Sequence, residues 1–215
     1  MKVASRFTTF GTEGESPAAD LAQLHAALLP GSPVSLLGRR FMEKFYYRIL
    51  PREGLIFGAV AYIDECPAGF IAATDDPAGF MRAGLRRSWP YLIWVLGGSV
   101  LSAPKSFMAV LEAAKVMHSR PHPEGRQNEG EILSFGVAPE YREARFIRQT
   151  GLRLSHDLLV IALDLLRAKE IRLIRAIVSA DNAPAKLFYS SLGWAFESTS
   201  APGWGHPTVQ FVGHL

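Results

Sequence analysis

The segment SADNAPAKLFYSSLGW, residues 179–194, places an Asn, a small Ala, a Tyr and a Gly at regular intervals directly after an apolar run. Asp181 or Asn182 can cap the free backbone N–H groups of a helix start, and Pro184 suits its first turn. Ala185, Phe188 and Tyr189 then fall on nearly one helical face, and Gly193 permits the turn into a following strand. A capped helix with an aromatic packing face accounts for the same residues.

Other groups with chemical character are more scattered. Arg142, Arg145, Arg148 and Arg153 lie close enough together to hold an anionic ligand, and a solvated helix face explains them equally well. The run Ser155, His156, Asp157 has the residue types of a hydrolase triad, but consecutive helical residues point in different directions and cannot form the relay. His118 and His122 are spaced nearly as metal ligands. Pro121 breaks the helix between them and no third ligand stands nearby, so no metal is expected. The chain contains neither a G-x-S-x-G elbow nor a phosphate-binding P-loop.

The elements that must position these groups can be read from periodicity and turn residues. KVASRFTTF, residues 2–10, alternates as a strand. Ser16 with Pro17 starts a helix that Pro30 ends, and Ser32 with Pro33 starts a second helix through VSLLGRRFMEKFYYRIL, where Leu37, Phe41 and Phe45 stack at helical spacing. Strands at 55–63 and 68–75, with a turn at 64–67, form an antiparallel hairpin. Residues 77–119 read as mostly helical and 121–130 as a polar loop. EILSFGV at 131–137 is a strand, the amphipathic stretch 151–170 a helix, and 171–179 a strand parallel to the first. The segment 179–194 follows, then short strands around WAFESTS and TVQFVGH. The order gives an α+β fold with a mixed, mostly antiparallel sheet.

At 215 residues, one hydrophobic core and one domain spanning 1–215 suffice. A hydrophobic share of 48% and a charged share of 20% exclude a disordered chain. The net charge of +3 is spread out, so nucleic acid is not expected as a partner. Cys66 is the only cysteine, which excludes an internal disulfide and a cysteine-built zinc site and fits a reducing, cytoplasmic setting. The opening residues lack an apolar stretch of signal-peptide length. Residues 88–104 are uncharged but interrupted by Pro90, Gly97, Gly98 and Ser99, which reads as a buried helix and loop rather than a membrane segment.

The pattern N-x-x-A-x-x-x-Y-x-x-x-G-W, carried by Asn182, Ala185, Tyr189, Gly193 and Trp194, resembles the C-terminal signature of the GNAT superfamily of acyl-CoA-dependent N-acetyltransferases. EILSFGVAPEYR at 131–142 is similar to the family's fourth strand and the turn after it. The resemblance covers 131–194 by motif and the N-terminal half by element order. It implies an α/β/α architecture in which a parallel strand pair splays apart to grip the pantetheine of acetyl-CoA, the co-substrate. Tyr189 would return a proton to the leaving thiolate, and Asn182 and Ala185 would lie beside the pantetheine. Backbone N–H groups at Phe135, Gly136 and Val137 would polarise the acetyl carbonyl, with Gly136 tolerating a bulge there.

The family's pyrophosphate motif, Q/R-x-x-G-x-G/A, aligns with RQTGLR, so Arg148, Gln149, Thr150 and Gly151 would cradle the phosphates, joined by Arg145. Arg153 stands where the family has Gly or Ala, and EARFI precedes the motif as an apparent lengthening of the loop. Arg153 then binds phosphate by its charge, or the remodelled loop holds coenzyme A poorly. Glu131 matches the catalytic glutamate of histone-acetylating members and would deprotonate the amine, with Glu129 as the neighbouring alternative and an exposed strand-end carboxylate as the other account. The expected reaction is acetyl transfer to a primary amine of a small molecule by direct attack. A non-catalytic binding module that senses an acyl-CoA or serves as a partner surface, and a transferase using a longer or carrier-protein-bound acyl donor, are the alternatives, and a homodimer is left open. The aromatic residues Phe45, Tyr46, Tyr47, Trp89, Tyr91 and Trp94 either line an acceptor site or belong to the core.

Overall fold

Asp64 and Glu65 both adopt positive φ, 47° and 65°, and form the two-residue turn whose twist suits a hairpin. The turn joins β2, Phe57–Ile63, to β3, Cys66–Thr74. In the computed structural model, residues 3–11, 15–88, 128–197 and 207–215 are described. The buried segment expected at 88–104, most of the expected loop at 121–130, and Trp89, Tyr91, Trp94, His118 and His122 lie outside them, apart from Ser88.

Among the described residues a seven-stranded sheet grows from this hairpin in the order β1-β2-β3-β4-β5-β7-β6. β1, Ser5–Phe10, pairs antiparallel with β2, and β4, Glu129–Val137, pairs antiparallel with β3. β5, Leu173–Ser179, runs parallel to β4 and antiparallel to β7, Thr208–His214. β6, Ala195–Glu197, closes the far edge against β7. The one parallel contact is therefore β4 with β5, inside an otherwise antiparallel sheet.

Every residue of β2 is buried, because both faces of the sheet are covered. Phe57, Ala59, Ala61 and Ile63 turn toward one core with Leu154, Leu158, Ala162 and Leu166 of the helix α7, Leu154–Arg167. Val60 and Tyr62 turn toward a second core with Leu21 and Leu24 of α1, Ala18–Leu28, and with Phe45, Tyr46 and Tyr47. This period-two division is the strand geometry acting on a two-sided apolar sequence. No helix among the described residues is long and apolar enough to cross a membrane.

Three expectations about the elements are corrected. Pro17, not Ser16, occupies the position before α1, and the Ser16 side chain makes no cap hydrogen bond; its carbonyl accepts from Ala18 N–H at 2.7 Å. The second helix is not continuous. Ser32 caps α2, Pro33–Leu36, as expected, but Gly38 at φ 87° breaks the chain before α3, Arg39–Phe41. A π-helical turn over Met42–Tyr46 follows, then α4, Ile49–Arg52. The wider turn, closed by Tyr47 N–H to Met42 C=O at 2.8 Å, allows Phe45, Tyr46 and Tyr47 to be buried consecutively, which the 100° step of an α-helix does not favour. Of the stretch expected to be helical at 77–119, α5, Phe80–Arg87, lies among the described residues.

The third correction concerns the phosphate segment. The residues read as a lengthened loop form α6, Ala144–Thr150, which ends at Gly151 in the left-handed conformation, φ 75°. Gly151, Leu152 and Arg153 alone separate α6 from α7.

Candidate active site

The site is built where the parallel pair comes apart. Paired register between β4 and β5 runs from Glu129 opposite Leu173 to Ile132 opposite Ala176 and stops there, although β4 continues to Val137 and β5 to Ser179. On its other side β4 carries a bulge at the same point, since Ala73 faces Ile132 and Ala72 faces Ser134, leaving Leu133 extra. A bulge adds local twist and bends the strand, so it turns β4 away from β5. The expected bulge at Gly136 is thus displaced to Leu133. Gly136 has a different reason to lack a side chain: a Cβ there would meet Leu28 Cβ of α1 at 3.1 Å.

The divergence opens onto a cavity of about 610 Å³, within the range of small-molecule sites. One wall is the free end of β4, with Ser134, Phe135, Gly136 and Val137. The opposite wall is β5 with α8, Ala183–Ser191, including Asn182, Ala185, Phe188 and Tyr189. Arg142, Arg153, Ser155 and His156 line a third side, and Leu29, Gly31 and Ser32 from the α1–α2 connection line a fourth.

Asn182, not Asp181, caps α8. Its Oδ1 accepts from Ala185 N–H at 3.1 Å, and the Asp181 carboxylate accepts from the Ser179 hydroxyl. Tyr189 is 4% exposed, stacked on Phe211 at 5.6 Å between centroids and tilted against Trp194 at 4.9 Å. Burial pushes its phenol above the ordinary value, so it keeps its proton. Gly213 provides the seat for Trp194, whose ring would lie 2.5 Å from a Cβ at that position.

The start of α7 has no side-chain cap, and its first turn carries Leu154, Ser155 and His156 along the cavity. Orphan N–H groups at a helix start, with the positive end of the dipole and the Arg142 and Arg153 guanidiniums nearby, make an anion-binding arrangement. Arg145, Arg148, Gln149, Thr150 and Gly151 are not among the lining residues. Arg148, Gln149 and Thr150 belong to the last turn of α6, and Thr150 Oγ1 is engaged locally, donating to Phe146 C=O at 2.8 Å and accepting from Leu152 N–H at 3.2 Å.

Glu131 also stands apart from the cavity lining. It is 4% exposed, inside β4 rather than at its start, opposite Thr74 and Arg175; the exposed strand-end carboxylate is therefore corrected. Glu129 is buried in an ion pair with Arg175 at 2.7 Å. Sequence reasoning passed over Ser32, Ser134, Ser155 and His156 as cavity residues. For Ser155 and His156 the available signal was their place in the first turn of a helix that follows a glycine and an arginine; Ser32 and Ser134 carry no local signal. Among the described residues no group of three or more His, Cys, Asp or Glu could hold a metal ion.

No family model and no curated protein sequence matches the chain. Solved structures resemble it over their full length. An acetyltransferase from Streptococcus agalactiae 2603 shares 13% identity, covering 98% of this chain and 98% of that one at a TM-score of 0.56. A protein from Desulfovibrio desulfuricans described as a GNAT-family acetyltransferase shares 13%, over 99% and 98%, at 0.55. Arabidopsis thaliana Naa50, solved with the bisubstrate analogue CoA-Ac-MVNAL, shares 14%, over 97% and 99%, at 0.52. The chain has the GNAT fold.

Proposed function

We propose that the protein is an acyl-CoA-dependent N-acyltransferase that moves an acetyl group from acetyl-CoA to a primary amine of a small molecule. The observation that carries this reading is the coincidence of three features. β4 and β5 part at Ile132 and Ala176, the gap opens into a cavity, and the capped helix α8 sets Tyr189 on its wall.

The chain's residues fit such a donor. The amides at the start of α7, with Arg142 and Arg153, suit the pyrophosphate. The edge of β4 at Phe135, Gly136 and Val137, paired with β3 on one side but no longer with β5 on the other, suits the amide-bearing pantetheine and the acyl carbonyl. The thioester supplies an acyl carbon open to attack by a neutral amine. As the new N–C bond forms and the C–S bond breaks, the Tyr189 hydroxyl donates toward the sulfur and hands over its proton, the amine's proton leaves to solvent, and solvent returns one to Tyr189 so that the phenol is neutral again. Glu131 is assigned no proton in this scheme, because it lies outside the cavity lining. The fold neighbour bound to a peptide-like bisubstrate analogue keeps peptide α-amines among the acceptors to be screened.

Calorimetry with coenzyme A and a thiol-release screen of amines test the reading. Tyr189→Phe is expected to lower turnover roughly ten- to a thousand-fold with cofactor affinity nearly intact. Absence of any heat with coenzyme A would leave a non-catalytic partner surface or a carrier-protein donor in its place. Unchanged turnover in Tyr189→Phe would remove Tyr189 from the chemistry.

A further inference from the structure

At the end of β5 the cavity is lined by a serine whose hydroxyl direction is fixed by its partner. Ser179 donates its hydroxyl hydrogen to the Asp181 carboxylate, which when ionised can only accept. Among the described residues no group donates to Ser179 Oγ in return. The proton of this serine is committed, and its lone pairs are not.

The backbone holds the group still. As the last residue of β5, Ser179 pairs with Thr208 of β7, and its carbonyl accepts from Asn182 N–H at 3.0 Å. Ala180 N–H donates to Pro207 C=O at 2.9 Å, and Lys186 Nζ, from the first turn of α8, donates to Ala180 C=O at 2.6 Å. A hydroxyl fastened on both sides in this way is ordered before any ligand arrives, which spares the cost of ordering it on binding.

Strand alternation shows which substrate it meets. Ile174, Ala176 and Val178 are buried in the core that contains α7 and Tyr189. Successive side chains of a strand turn to opposite faces, so Ile177 and Ser179 turn to the other face, where α1 packs. Leu29, Gly31 and Ser32 reach the cavity from that face, whereas Arg153 and the start of α7 reach it from the first. A donor whose phosphates sit at α7 therefore leaves the α1 side of the gap to the second substrate.

We infer that Ser179 Oγ is the hydrogen-bond acceptor that receives an N–H of the amine entering from the α1 side, and that Asp181 is a positioning residue that holds the serine's own proton away from it. The assignment rests on the transferase reading above and deepens it. An attacking amine must aim its lone pair at the acyl carbon, so its N–H groups are what the protein can grip. An oxygen whose proton is already given away suits them.

Three variants in the thiol-release assay test the assignment, with the most active primary amine of the screen as the probe. Ser179→Ala should lower kcat/KM for the amine roughly five- to twenty-fold. Asp181→Ala, which frees the hydroxyl to turn, should lower it roughly three- to tenfold, whereas Asp181→Asn, whose Oδ1 still accepts, should stay within about twofold of the wild type. The dissociation constant for coenzyme A should move by less than about twofold in all three, which also shows that they fold. Unchanged kcat/KM in Ser179→Ala overturns the assignment. So does a loss of coenzyme A affinity in that variant, because it would set Ser179 against the pantetheine instead. Equal losses in Asp181→Asn and Asp181→Ala would show that charge matters rather than a directed hydroxyl, and the positioning role would fall. A wild type that binds no coenzyme A and acylates no amine removes the transferase reading and this assignment with it, whereas an active wild type matched by Ser179→Ala removes the assignment alone.

Discussion

His25 offers the most direct quantitative test of the packing beneath the cavity. Its ring is packed against Tyr46, Tyr47, Phe70 and Ser32, and among the described residues no Asp, Glu, Lys or Arg hydrogen-bonds to it. Desolvation alone lowers its pKa from 6.5 to about 4. Between those values the unfolded chain takes up a proton that the folded protein refuses, so stability falls as the pH drops below about 6.5, and the loss is complete near 4. A fall from 6.5 to about 4, at about 1.4 kcal/mol per pH unit, amounts to about 3 kcal/mol in full. Most of it, about 2 kcal/mol, should be lost between pH 7 and pH 4.5.

Urea unfolding followed by tryptophan fluorescence at those two pH values, on the wild type and on His25→Gln, isolates the effect. Every other titrating group is present in both proteins and cancels. The variant is less stable at pH 7, because Tyr47 and Ser32 lose well-placed partners, but the gap between the two should shrink by about 2 kcal/mol at pH 4.5. Parallel losses in the two proteins would show that His25 is not held neutral by burial, and the reasoning would fail.

Three further outcomes are expected. Asn182→Ala removes the Oδ1 acceptor for Ala185 N–H and should lower unfolding stability by about 1 kcal/mol, read from the urea midpoint at unchanged slope. Arg153→Ala should weaken coenzyme A binding roughly tenfold in low-salt calorimetry and by much less at high salt, because an exposed cation acts through screened charge. Gly213→Ala would bring a methyl to within 2.5 Å of the Trp194 ring, and displacing that ring should cost about 1 to 3 kcal/mol by thermal unfolding and disturb the seat of Tyr189.

Elements governed by neighbouring residues were legible from the chain itself. The hairpin follows from two apolar runs and a two-residue turn, the cap of α8 from an Asn or Asp followed by Pro184, and the parallel pair from a strand, a long amphipathic helix and a strand. Each depends on contacts within a few residues or on a fixed periodicity. The break at Gly38 and the π-helical turn escaped the same reading. Phe41 and Phe45 keep helical spacing either way, and what decides the wider turn is the burial of Tyr46 and Tyr47 against α1 and β3. The segment read as a loosened phosphate loop likewise became α6, with Tyr141 and Phe146 packing edge to face at its start.

The sequence by itself determined the hairpin, the strand–helix–strand order that makes the parallel pair and the identity of the helix that carries Tyr189, because periodicity and capping are local properties of a chain. Tertiary structure alone decided where β4 leaves β5, that Glu131 stays out of the cavity lining while Ser134 enters it, and that His25, Ser32 and Tyr47 converge. Side chains from three separate segments meet there only after both faces of the sheet have been packed, and a buried polar group then keeps a partner supplied by the fold, wherever in the chain that partner arises.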